Sequence, residues 1–281
     1  GELNILGSST LFAIGSSTAA GISTLNTSTI SSLLSLQGPV YSQSMNIRGN
    51  STIFATQTIS GNTLSFNETS TESNLIFSDN AQLLYSSIRK YGSALANITF
   101  EGTSTISGSI GNSVSDPLNI INLGATSETV KFSGNNVFIN QLNFTGDGTA
   151  IIANSSTLSA TNINNTSGTN LQGVLVFEGN TELLNPIGST STSLRTVNFQ
   201  GPATSTLSAN IFSQSLIIES GTTLVIDNDN SIYLEDGGSL EINGALTTST
   251  DNSGALFYLG AGTITNDVGS LGTKIRLFTV G

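Results

Sequence analysis

Cysteine, histidine and tryptophan are absent from this chain of 281 residues, and only 9% of its residues are charged, against roughly 25% in an ordinary soluble domain. Each absence removes a class of function. Without cysteine there are no disulfide staples and no thiolate nucleophiles. Without histidine there is no Ser-His-Asp or Cys-His system and no histidine-ligated zinc or haem. The few charges are lopsided, 18 acidic against 7 basic, for a formal net charge of −11. Such a chain repels phosphate backbones, which argues against nucleic acid as a partner. No apolar run reaches the ~18–20 residues of a spanning helix. The chain opens on Gly1-Glu2-Leu3 with no signal peptide, so the targeting parts of an exported protein are expected outside this segment.

Ser, Thr, Asn and Gly stand where charge is missing, interleaved with Ile, Leu, Val and Phe. A polar but uncharged surface of this kind suits stacked β-sheets, in which Thr and Asn line up in ladders. Short runs with strand chemistry recur: Leu216 to Ile218, Leu224 to Ile226, Ile232 to Leu234, Leu240 to Ile242. Turns rich in Gly, Asn, Asp and Ser separate them at about eight-residue spacing. Helical i, i+3, i+4 spacing is not sustained anywhere.

A longer repeat lies above this rhythm. ITFEGTSTISGSIG at 98–111 matches LVFEGNTELLNPIG at 175–188 without a gap, and PLNIINL at 117–123 then falls on SLRTVNF at 193–199. The core element is apolar-x-Phe-x-Gly, giving the pairs Phe100/Gly102, Phe132/Gly134, Phe144/Gly146, Phe177/Gly179 and Phe199/Gly201. One such unit cannot bury its apolar face alone, so stacked copies must supply the core. The Phe is predicted to point inward onto its counterpart in the next coil. The Gly is predicted to permit the corner that follows, by positive φ or close backbone approach. Coils of ~20–25 residues at ~4.8 Å spacing give about a dozen turns. The expected fold is all-β: a right-handed parallel β-helix, or solenoid, running as one segment over 1–281.

Two stretches break the pattern, 28–37 (STISSLLSLQ) and 81–96 (AQLLYSSIRKYGSALA). Either is expected to be a short helix or a side loop. The second carries Tyr85, Arg89, Lys90 and Tyr91. They form the candidate binding patch, because Tyr and Arg dominate interface hot spots, with an ordinary exposed loop as the alternative.

Ser87-Ile88-Arg89-Lys90 fits S-x-x-K and Ser78-Asp79-Asn80 fits S-D-N, but the order along the chain is wrong and no K-T-G follows. Asp227, Asp229, Glu235, Asp236 and Glu241 form an acidic cluster. It is read either as the calcium or acid–base set of a polysaccharide-active β-helix or as turn residues tolerant of left-handed and Asx geometry, and the second is preferred. As an EF-hand loop it fails, with Ile232 at the Gly position and Gly238 at the bidentate Glu. Gly269 to Lys274 lacks the Walker spacing. No catalytic residue, metal or cofactor is assigned, and the chain is not expected to be an enzyme.

The Phe-x-Gly-x-x-Thr element, the SLRTVNFQGPAT run at 193–204 and the absence of Cys and His resemble the autotransporter passengers of the rickettsial surface cell antigen / outer membrane protein B family. The resemblance covers most of residues 97–281 and weakens before about residue 60. The chlamydial polymorphic membrane proteins are the second choice: their F-x-x-N occurs at Phe77–Asn80, Phe132–Asn135 and Phe177–Asn180. Their G-G-A element is missing, with Gly237-Gly238-Ser239-Leu240 the nearest approach.

What the rickettsial-type resemblance implies is export, passage through an outer-membrane barrel lying outside this chain, and display on the bacterial surface beyond the outer membrane. It implies an adhesin in host-cell attachment, with a structural surface-layer protein as the alternative and a polysaccharide-active enzyme third. The expected partners are accordingly a host-cell surface protein or further copies of the chain. The resemblance supplies no binding residue.

Overall fold

The computed structural model describes every residue except 18, 29, 68–71, 79, 125–126 and 155. The described residues form strands without a helix, and the strands pair in parallel to wind a β-solenoid of about 12 turns counted over the whole chain. This is the parallel β-helix that the repeats require. The chain divides into two compact units, Gly1–Asn140 and Gln141–Gly281.

In the first unit the inward side chains form three columns. One runs Leu25, Met45, Leu64, Ile88, Ile110, Val137, each in register with the next. A second runs Leu34, Ile53, Leu75, Ile98, Ile121. The third runs Val40, Ile59, Leu83, Ile106, Phe132. All of these residues are buried, and each large aliphatic removed from water contributes about 1.5–3 kcal/mol. The backbone N–H and C=O groups point to the coils on either side, so stacking satisfies them and supplies the core in one step.

The second unit repeats the scheme. Leu175, Val197, Leu216 and Leu240 form one column. Leu183, Leu207 and Ile226 form another, and Ile163, Ile187, Ile211, Ile232 and Leu256 a third.

All five Phe residues of the Phe-Gly element point inward as expected, but only Phe177 and Phe199 stack on each other as copies of it. Phe77 stacks on Phe100 with ring centroids 5.2 Å apart, and Phe177 on Phe199 at 5.1 Å. Phe132 lies in register with Ile106 rather than another Phe, and Phe144 is buried against Gly173. The glycines act in the two expected ways. Gly201 has φ +88°, whereas a Cβ on Gly134 or Gly179 would come within 2.0 Å of the Gly108 carbonyl oxygen or 2.1 Å of Asn154 Oδ1. Gly102 and Gly146 are buried in the bends after their Phe residues.

The two expected interruptions are part of the coil. Residues 28–37 contain the strand Ser32–Leu36, in which Leu34 and Leu36 face inward and Leu33 is 51% exposed. Ser32 replaces an apolar side chain on the inner side and bonds Ser51 at 3.0 Å. Residues 81–96 contain the strand Leu83–Lys90 and enter the next one, Leu95–Phe100. Their rhythm misleads because this strand rounds a corner without turn residues. Leu83 and Tyr85 face inward on one side of the bend and Ile88 on the other, so alternation slips by one residue at Ser86-Ser87. The strand Val40–Ile47 does the same between Ser42 and Met45.

Asparagines line polar rows in the first unit. Asn26 donates to Asn4 Oδ1 at 2.8 Å and to Glu2 Oε1 at 2.7 Å, Asn46 donates to Asn26 at 2.7 Å, and Asn67 donates to Asn46 at 3.0 Å. A second row runs through Asn74, Asn97 and Asn119. A primary amide both donates and accepts, so it bonds a copy of itself in the next coil.

Candidate functional site

The four residues singled out from the sequence do not form one patch. Tyr85 is fully buried, in register with Gly61, and its hydroxyl is 2.6 Å from Ser42 Oγ. Burial pushes its pKa up to about 12, against a smaller lowering by the Ser42 hydrogen bond. It is a core residue, which corrects its assignment to a binding surface. Arg89 and Tyr91 do meet: the guanidinium carbon lies 4.9 Å from the ring centroid, a cation–π contact. Lys90 faces Asp116 instead, Nζ to Oδ1 3.8 Å.

Serine 87 and Lys90 share one strand rather than a helical turn, so the S-x-x-K spacing does not carry the geometry that motif needs. Its S-D-N companion includes Asp79, which lies outside the described residues.

The acidic cluster is dispersed among structural roles. Asp227 accepts from Ser249 and Asn228 at 2.5 and 2.8 Å. Asp229 pairs with Arg276 at 2.9 Å, and Glu241 accepts from Asn243 at 2.6 Å. Glu235 accepts from the buried Ser193 hydroxyl. Among the described residues no group of three or more acidic side chains converges to hold a metal. Nearby, Asp251 takes the Lys274 backbone N–H, which holds its carboxyl below the usual carboxylate range.

A different feature of the second unit carries the most distinctive surface. The strands Ile211–Ile218, Ser231–Ile242 and Ser253–Tyr258 place Phe212, Tyr233 and Phe257 in register. Each directly follows an inward Ile or Leu, so by strand alternation it faces out. The rings stack with centroids 4.7 and 4.8 Å apart and planes within 6° and 1° of parallel. Strand spacing sets that pitch.

The neighbourhood of the rings is shaped by a bulge. Register passes from Leu234 opposite Ser213 to Ser239 opposite Ser215, and the residues between leave the ladder. A cleft of about 270 Å³ results, lined by the three rings, Leu234, Leu259 and the Glu235 side chain, with Thr190 and Thr279 in the flanking coils. Gly188, in the coil beneath Phe212, has no side chain, and a Cβ there would stand 2.6 Å from the Phe212 carbonyl oxygen. Position 188 therefore sets no side chain against Phe212, and the Thr192 and Ser193 backbone packs around it.

A larger cleft, about 480 Å³, lies on the last coil and is bounded by Leu271, Ile275 and Phe278. Phe278 continues the column of Ile232 and Leu256, so this cleft borders a core row. The side chains of the ring stack stand outside the core.

No protein-family model, curated protein or solved structure matches the chain.

Sequence reasoning missed the ring stack because Phe212, Tyr233 and Phe257 do not belong to the Phe-x-Gly element. The signal that finds them is a recurring dipeptide: Ile211-Phe212, Ile232-Tyr233 and Leu256-Phe257.

Proposed function

We propose that this chain is a surface-displayed passenger segment of a bacterial autotransporter, and that it works as an adhesin in host-cell attachment. The observation that carries this reading is the outward stack of Phe212, Tyr233 and Phe257 beside an open cleft. Cross-strand aromatic pairs on a solvated face add only about 0.2–1 kcal/mol each, and aligned rings bordering a cleft also suit a contact surface. The sequence resemblance supplies the secretion route; the ring stack supplies a place to bind.

Beads coated with the purified chain should adhere to cultured epithelial cells. The triple variant F212A/Y233A/F257A, folded by circular dichroism, should lose most of that adhesion. Equal adhesion by coated and uncoated beads would overturn the reading. Growth of ordered two-dimensional sheets by the pure chain, with no cell binding, would favour the surface-layer alternative instead.

A further inference from the structure

We propose that the cleft beside Phe212, Tyr233 and Phe257 is a carbohydrate subsite that takes an uncharged pyranose residue. This deepens the adhesive reading and rests on the same cleft.

The lining selects among ligand classes. An extended peptide added as a strand needs a free sheet edge. None borders the three rings, because the strand Ile211–Ile218 pairs with Leu194–Phe199 on one side and Ser231–Ile242 on the other, which pairs with Ser253–Tyr258, and that strand in turn with Ile275–Val280. An anionic sugar meets Glu235, no basic side chain in the lining, and a chain of net charge −11. A free organic cation is best held in a cage of several aromatic faces turned to one point, whereas the faces between these rings are closed at 4.7 and 4.8 Å and the parallel rings form no cage.

A pyranose fits what remains. Its C–H face packs on an aromatic side chain lining the cleft, and its hydroxyls need acceptors and donors at the rim. Glu235, Thr190, Thr279 and the Tyr233 hydroxyl supply both kinds. A volume of about 270 Å³ lies at the bottom of the roughly 300–1,000 Å³ range of small-molecule sites, a size for one or two sugar rings rather than a large ligand. The Glu235 carboxylate already accepts from Ser193, which fixes its orientation before a sugar arrives.

The test uses an array of immobilised neutral oligosaccharides alongside their sialylated and sulfated counterparts, probed with the intact chain. Selective binding to neutral members is expected. Phe212→Ala and Glu235→Gln should each weaken it by about tenfold, with unchanged circular dichroism. Tyr233→Phe keeps the stack and should lose less than Phe212→Ala. Phe54→Ala, an exposed aromatic of the first unit, should leave binding unchanged. Absence of neutral-glycan binding, preference for the charged glycans, or equal binding by Phe212→Ala would overturn the assignment. So would self-association in sedimentation that Phe212→Ala abolishes, since the occupant would then be a second copy. If glycans bind but cells do not, the subsite stands and the adhesive reading falls. If cells still bind after Phe212→Ala abolishes glycan binding, attachment uses another surface.

Discussion

The Tyr85 hydroxyl bonds Ser42 Oγ at 2.6 Å across 43 residues of chain. Gly61 occupies the coil between them, with its hypothetical Cβ 1.7 Å from the Ser42 carbonyl oxygen and 2.6 Å from Tyr85 Cε1. The phenol fills the room that a side chain at 61 would take.

Tyr85→Phe should therefore lower stability by about 1–3 kcal/mol, because it strands the buried Ser42 hydroxyl. The pH dependence has a definite sign. The folded pKa of about 12 lies above the unfolded value of 10.0, so the neutral phenol's contribution is complete below pH 10 and is lost as pH rises through 12. That window is worth on the order of 2–3 kcal/mol. Urea unfolding at pH 8 and at pH 11.5, an alkaline point chosen inside roughly that window, should show the gap between wild type and Tyr85→Phe narrowing at the higher pH. A gap independent of pH would contradict the burial.

Gly61→Ala should destabilise the first unit by at least about 1–3 kcal/mol through overpacking. Shortening the phenol does not remove the clash with the Ser42 carbonyl, so Gly61→Ala combined with Tyr85→Leu should remain destabilised. Full recovery in the double variant would show that the ring alone demands glycine.

Asn46→Ala removes the middle of an amide row, leaving Asn26 Oδ1 without its donor and Asn67 without its acceptor. A loss of about 1–3 kcal/mol is expected. Amide hydrogen exchange in this variant should quicken at Asn26, at position 46 and at Asn67 before it quickens in the second unit. Uniform exchange along the chain would count against a local role for the row.

Phe100→Ala should cost about 3–5 kcal/mol and Phe100→Leu under about 1.5 kcal/mol, since volume and stacking on Phe77 are both at stake. Denaturant midpoints of the two variants decide it. Similar midpoints would mean that the coil collapses around the missing ring.

The architecture was legible wherever apolar residues alternate and a glycine closes the bend, as at Leu224 to Ile226 or Phe177-Glu178-Gly179. It was obscured where a strand turns a corner mid-run. At Leu83–Lys90 the bend at Ser86-Ser87 breaks the two-residue period, so a buried Tyr85 looks like a surface residue beside Arg89. Of the proposed patch, only the Arg89–Tyr91 contact is realised. The ring stack was hidden for the opposite reason: Phe212, Tyr233 and Phe257 sit 21 to 24 positions apart, and the dipeptide they share with the preceding Ile or Leu becomes a common face only once register is known.

Each inner coil within a unit is bonded to the coils on either side, with partners such as Ser32 and Ser51 lying 19 residues apart and Ser133 and Ile106 lying 27 apart. Mechanical load applied to one chain end of such a unit therefore meets a single row of hydrogen bonds at a time. The unit should yield by peeling, releasing about 80 Å of slack per coil of ~20–25 residues. A tether built this way lengthens in steps under tension, and the coils not yet reached keep their shape.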